Sequence, residues 1–420
     1  MSNTIKTLGA QAITREGLRV LHNNLAFARS VDRQYSDEFA KTGAKIGATT
    51  NVRLPNRYFV RSGAKLNVQN TTESLVPVTI TDQKGVDINF TSAELTLELD
   101  EFSNRILTPA LSRLATEVDY LGLGQFINVY HQVGTPGTKP GVSGGSGLAI
   151  SNSPGIFLNA GALLDTMAVP RDGGRSIQLE PMAMAMAVDG LKALFHDGPE
   201  IASQFKKGMI GHAADFDFYM DQNVNSLLNG THSGTASNFK VHGASQTGAS
   251  LVCDWESDGA GTIAAGEIIE IAGVYSVNPE NQQSTGNLAQ FVVTAAEDVS
   301  KSTGGMSLAI SPSIIVAGTG VANGTVTASP DNDAVITLKS GSASTYYKQN
   351  LAYHRDAFTL ATVDLIMPDG VDFAAREVYD GISMRIVRQY DINNDTFPCR
   401  IDLMFGWATL RAELACRIAG

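Results

Sequence analysis

The sequence predicts an α+β fold interrupted by a separate all-β insertion. Three observations carry that expectation. Apolar residues recur at steps of three and four between 18 and 28 and again between 107 and 121, the spacing of one helix face. They alternate strictly between 76 and 99 and between 382 and 407, the period of a strand with one dry and one wet face. From residue 231 to 344 the composition shifts to Gly, Ser, Thr and Ala with short β runs and no helical period.

The elements follow in order. Leu18, Leu21, Leu25 and Ala28 form an arm helix, with Thr14 as N-cap and Glu16 at the positive end of the dipole. The arm lies ahead of any core, so its leucines must pack elsewhere in this chain or on a second copy. Residues 44–100 read as a long β-ribbon. Its alternating runs are Val76, Val78 and Ile80, then Val86, Ile88 and Phe90, then Leu95, Leu97 and Leu99, with Gln83-Lys84-Gly85 as a turn marker. Leu107, Leu111, Leu114, Val118 and Leu121 form the clearest helical stripe, with Arg113 and Glu117 an i,i+4 pair on the opposite face. Thr108-Pro109 is either its start or a kink in a helix begun near Glu101.

A Gly/Ser/Pro loop fills 135–154, and a helix begins at Pro181 with Met184, Val188, Leu191 and Phe195 on one side. Met182, Met184 and Met186 read as core filling. In the insertion, 268–271, 291–294, 308–310 and 335–338 are short strands, which implies a small barrel or sandwich. After it, Phe358 and Leu360 open a strand. Ile382, Met384 and Ile386 pair across the Asn393-Asn394-Asp395 turn with Ile401, Leu403, Phe405 and Trp407. Arg385, Arg388, Arg400 and Asp402 are expected on the wet face of that hairpin, and a helix-like tail closes the chain.

Composition narrows the function. The 420 residues carry 31 Lys+Arg and 42 Asp+Glu, so the net charge is 31 − 42 = −11, the wrong sign for a protein that coats nucleic acid through its phosphates. No apolar run reaches the length of a membrane span, and residues 1–15 lack a signal-peptide core. Cys253, Cys399 and Cys416 are odd in number and widely spaced, as expected for thiols in a reducing cytosol.

Catalytic motifs read as coincidence. Gly141-Val142-Ser143-Gly144-Gly145 matches GxSxG but lacks the preceding buried strand and following helix of a nucleophile elbow. The run 254–259 (DWESDG) begins like an EF-hand loop, yet Ala265 stands where the bidentate carboxylate is due. His354-Arg355-Asp356 offers no nucleophile, and the seven histidines show no metal-ligand pairing. No catalytic residue, cofactor or metal site is expected. One basic cluster, Arg53, Arg57, Arg61 and Lys65 with Tyr58 and Phe59 between, is either an ordinary ribbon face or a docking surface for an acidic patch on another copy.

Several stretches in serial order resemble the major capsid (coat) proteins of tailed double-stranded DNA bacteriophages, in the subfamily with an inserted β-barrel. They are 13–35 (ITREGLRVLHNNLAFARSVDRQY), 51–58 (NVRLPNRY) and 102–119 (FSNRILTPALSRLATEVD). The others are 266–279 (GEIIEIAGVYSVNP), 290–294 (QFVVT) and 353–368 (YHRDAFTLATVDLIMP). The resemblance implies the tailed-phage major capsid fold. Its parts map to an N-terminal arm (1–43), an extended β-loop (44–100) and a peripheral-domain spine helix (101–140). The axial domain follows in two parts (141–230 and 348–380) around the inserted β-barrel (231–347), and peripheral-domain strands return at 381–420.

The resemblance further implies a non-enzymatic protein that self-assembles as hexamers and pentamers of an icosahedral shell. A scaffolding protein and a portal protein are its implied partners, and whether a decoration protein joins them is left open by the sequence. Such a shell encloses double-stranded DNA without reading its sequence and is built in the host cytoplasm away from any membrane. On this view Arg53, Arg57, Arg61 and Lys65, with arm residues Leu18, Leu21 and Leu25, belong to a subunit interface. The alternative is another virion structural or tail-associated β-rich adhesion protein.

Overall fold

The computed structural model describes residues 10–36, 49–58, 60, 63–66, 68–69, 75–91, 108–140, 155–191, 211–233, 236–255, 260–299, 305–318, 321–379 and 381–420. Leu95, Leu97, Leu99, Leu107, Phe195 and the GxSxG run lie outside them. The chain divides into two units. Unit 1 comprises 1–54, 75–122 and 358–410, and unit 2 comprises 55–74, 123–357 and 411–420.

Unit 1 is a sheet backed by helices. Its strands are β1 (Asp32–Ser36), β2 (Thr49–Arg53), β3 (Leu75–Thr79), β4 (Asp82–Thr91), β19 (Phe358–Val363), β20 (Phe373–Tyr379), β21 (Ile382–Arg388) and β22 (Thr396–Thr409). Six of them form one sheet in the order β1-β19-β22-β21-β20, with β4 also paired to β22, while β2 and β3 pair with each other. The arm helix (Ala10–Asn24) and the spine helix (Thr108–Leu123) supply the other face of the core. Leu18, Leu21, Leu25 and Ala28 meet Leu111, Leu114, Ala115 and Val118 there, over Ile382, Met384, Ile401, Leu403 and Phe405. Each such buried leucine contributes about 2 kcal/mol, which is why the helical stripes face inward.

Four expectations are corrected within this unit. Thr14 is no N-cap: it sits inside the arm helix and is fully buried, because the helix-compatible residues 10–13 extend the helix ahead of it. Gln83-Lys84-Gly85 is no turn but part of β4, which pairs along β22 from Asp82↔Phe405 to Thr91↔Thr396. Gly85 is there because a Cβ would come within 2.5 Å of Asp402 Oδ1 on the neighbouring strand. Asp402 is not on a wet face but buried, held by Arg385 Nη2 at 2.6 Å and Arg400 Nε at 2.8 Å. Finally, the spine helix stops at Leu123, and a 3-10 turn (Gly124–Asn128) follows.

The strands of unit 2's body are β5 (Gln132–Val133), β6 (Arg175–Leu179), β7 (His212–Ala213), β8 (Phe216–Met220), β9 (Ser226–Leu228), β18 (Tyr346–His354) and β23 (Ala415–Ala419). They form one sheet, β5-β23-β18-β6-β8-β7, with β9 paired to β18. Helices Gly155–Thr166 and Pro181–Leu191 accompany it. In the second helix Met184 is buried and Met182 exposed, so only part of the methionine set fills core. The helix-like tail is corrected: β23 is a strand, paired to β18 on one side and β5 on the other, and all five residues are buried. Sheet pairing on both edges overrides local helix preference.

The insertion contains β10 (Phe239–Val241), β11 (Gly248–Trp255), β12 (Thr262–Ile263), β13 (Ile268–Val277), β14 (Ser284–Val293), β15 (Glu297–Asp298), β16 (Met306–Ile314) and β17 (Ile336–Leu338). Six run in the order β10-β11-β16-β14-β13-β17, and a Lys240–Val335 bridge joins the two ends, so the sheet closes on itself. Phe239, Trp255, Ile269, Ile271, Phe291 and Leu308 are among its core. Closure removes the exposed edges that would otherwise template aggregation. Residues 256–259 of the DWESDG run lie outside the described residues, whereas Asp254 lies within β11, where its carboxylate meets His242 Nδ1 and accepts the Gly305 N–H at 2.8 Å.

His131 lies buried just before β5, and burial pulls its imidazole from 6.5 down to about 3. The folded chain therefore keeps His131 neutral between pH 6.5 and about 3, while the unfolded chain takes up a proton there. Stability is complete above pH 6.5 and is lost as pH falls through that window. At pH 5 the loss from this residue is on the order of 2 kcal/mol. His131→Leu should flatten this part of the acid limb in urea titrations at pH 7 and pH 5. An unchanged difference between the two pH values would contradict the assignment.

Candidate assembly surface

The expected interface residues fall into three groups. Leu18, Leu21 and Leu25 are at most 2% exposed within unit 1. Their burial is satisfied by the chain's own spine helix and sheet, which corrects their placement at a contact with a second copy. Arg53 ends β2 in unit 1 and is exposed. Arg57 and Lys65 belong to unit 2, and Arg61 lies outside the described residues, as does Phe59. The cluster is thus divided between units.

Arg57 is already engaged. Its Nη2 donates to Glu413 Oε1 at 2.9 Å, and the same oxygen accepts from Arg411 Nε at 3.0 Å. Burial, reinforced by Glu413, pushes the nearby Tyr130 phenol well up. Arg57 therefore helps fix residues 411–413 within unit 2. Lys65 is exposed.

The sequence reading missed the apolar content of this segment. Val60 is 98% exposed, Leu66 75%, Val68 73% and Tyr58 58%. These four large apolar side chains stand exposed within one short stretch of the chain. The Leu66-Asn67-Val68 alternation was the available signal, overshadowed by the arginines around it.

The motif candidates have structural work. His354 is buried, and its Nε2 lies 3.0 Å from Asp172 Oδ1. Its Nδ1 accepts the Asp356 N–H at 3.3 Å, so the proton sits on Nε2 and points at the aspartate. That hydrogen bond, with the Gly174 N–H, holds the Asp172 carboxyl down to about 2. Cys253, Cys399 and Cys416 are all buried free thiols, and burial pushes each one up. Among the described residues no group of three His, Cys, Asp or Glu could hold a metal, and no helix is long and apolar enough to cross a membrane.

The closed inserted barrel, the arm on the spine helix and the returning hairpin sheet can now be set beside known proteins. Residues 7–420 match the family model of the P22 coat protein, gene protein 5. The chain belongs to the P22 coat protein family. As a member of that family it is a major capsid protein of the tailed-phage type, which self-assembles into the icosahedral shell of the virion. Membership sets aside the tail-adhesin alternative. No curated protein matches. Among solved structures, the chain is similar to one from Mycobacterium phage Che8 (11% identity, TM-score 0.46, covering 94% of this chain and 90% of that one). It is also similar to the capsid of cyanophage P-SCSP1u (8%, 0.44, 100% and 91%) and to the mature capsid of bacteriophage PhiM1 (10%, 0.42, 92% and 85%). The family match alone carries the functional conclusion.

Proposed function

We propose that this coat protein joins its neighbours in hexamers and pentamers through the exposed apolar run Tyr58, Val60, Leu66 and Val68. Arg53 and Lys65 supply charge that meets acidic surface on the next copy. The observation that carries this reading is the nearly complete exposure of Val60 beside other large apolar side chains. The net charge of −11 supports it, since an acidic chain offers carboxylates to a basic partner segment. Many modest contacts per subunit then add up to a stable shell.

The protein acts without catalysis. Its shell grows on a scaffolding protein around a portal, in the host cytoplasm, and a decoration protein can bind the finished surface. It then encloses double-stranded DNA that it does not grip by sequence, in keeping with its acidic balance.

Reversing Arg57 would mix two effects, because the Glu413 pair is internal. Leu66→Asp with Val68→Asp is the cleaner test. We expect the double variant to melt as the wild type does and to form no shells by negative-stain microscopy. Shells in normal yield would refute the proposed contact.

A further inference from the structure

The inserted barrel leaves and re-enters its body through a narrow neck. Asn229 Nδ2 donates to the carbonyls of Ser340 and Ser342 at 2.9 and 3.0 Å, and the Ser344 N–H donates to Gly230 O at 2.9 Å. Arg417, buried in β23, donates to Gly266 O at 2.6 Å close behind it. A domain tied only at a neck swings about it.

Further ties lie outside the neck, among them Gln132 Nε2, which donates to Lys339 O at 2.8 Å just after β17. Gln290 on β14 faces β5 with its side-chain amide: Oε1 accepts the Gln132 N–H at 2.7 Å, and Nε2 donates back to Gln132 O at 3.1 Å. The side chain thus takes the place of a strand neighbour on the edge of β5 that β23 leaves open. Nε2 also donates to Glu270 Oε1 at 2.9 Å, the residue opposite it in β13, which orients the amide. At the end of β13, Asn278 Nδ2 donates to Thr166 O at the end of helix Gly155–Thr166, at 2.7 Å. Near these ties, barrel and body flank an open cleft of about 420 Å³ lined by Asn159, Leu163, Ser276, Asn287 and Leu288, among others. Close packing therefore does not fill this contact. Directional hydrogen bonds fix its angle.

We propose that Gln290 and Asn278 are positioning residues for shell assembly, which set the angle at which each subunit carries its inserted barrel. A shell subunit must present its parts to several neighbours at once, and a swinging domain pays an ordering entropy at every contact.

Gln290→Met keeps the length of the side chain and removes both bonds to Gln132. Asn278→Asp removes the donor to Thr166 while keeping the oxygen that caps Glu280 and Asn281. In full-length protein, hydrogen exchange at the Gln132 amide should accelerate roughly tenfold in Gln290→Met. The Val292 and Val293 amides inside the barrel and the melting temperature should not move. Both variants, and more so the double variant, should lose shell yield in assembly reactions followed by light scattering. Unchanged exchange at Gln132 overturns the latch, and faster exchange with normal shell yield overturns the positioning role. Were Gln290→Met to misfold, a well-folded Asn278→Asp decides alone: lost yield supports the role, full yield removes it.

Discussion

Asp119→Ala should lower the stability of the chain by about 3 kcal/mol, a large share of what holds a domain folded. Asp119 projects from the spine helix and is 1% exposed. Its Oδ2 accepts the Ala26 and Phe27 N–H groups at 2.7 and 3.2 Å, and its Oδ1 accepts that of Ala28 at 3.0 Å. These are the orphan donors that open the short helix Phe27–Ser30, a four-residue turn with no side-chain cap from its own N-cap residue. A carboxylate one sequence region away therefore does the capping. Alanine would leave two buried N–H groups and a half-buried one without this acceptor, whereas Asn keeps one oxygen and should cost about half as much. Urea titration of the three proteins checks this order. An alanine variant with the wild-type midpoint would mean that the helix is held by packing alone, through Phe27 against Phe358 and Trp407.

Asp402→Ala should be comparably severe, at about 3–5 kcal/mol, because it strands a charge. Asp402 is fully buried in mid-sheet, between Arg385 on β21 and Gly85 on β4. Arg385 is only 15% exposed and donates its other nitrogen to Ile366 O at 2.6 Å, so it has little water to turn to. Arg400 touches the same carboxylate but is 55% exposed. Removing Arg400 should therefore change stability by no more than about 1 kcal/mol. The contrast between the two alanine variants is the measurement. Equal, small losses would show that water reaches the Arg385 guanidinium after all.

Much of this fold is legible in the residues because its elements are periodic. The Leu111, Leu114 and Val118 stripe and the Ile382 to Trp407 alternation each repeat often enough to fix both type and facing. The barrel strands are legible from composition and turns. What escapes is structure decided by a distant partner. Residues 415–419 show no alternation, since a strand paired on both edges and covered on both faces has no wet side to mark it. Gly85 reads as a turn because a glycine needed for a close strand approach looks the same in sequence.

The proposed interface is the least legible part, for a related reason. A leucine stripe on an arm and an exposed valine in a ribbon look alike until one is seen to find its burial at home. Leu18, Leu21 and Leu25 do, and Val60 does not. Arginines mark residues 53–61 in the sequence, yet one of them, Arg57, is occupied by Glu413.

The place of β23 bears on how the molecule is made. It fills the gap between β5 and β18, so the ribosome must deliver residues 415–419 long after it has released 132–133. Until then the main sheet of unit 2 lacks an interior member, and its neighbours expose raw edges that could pair with another nascent chain. The barrel's six strands, all drawn from 239–338, need nothing made later and can close on the ribosome. Synthesis therefore divides into a self-sufficient piece finished early and a surround that stays open to chaperones until residues 415–419 emerge.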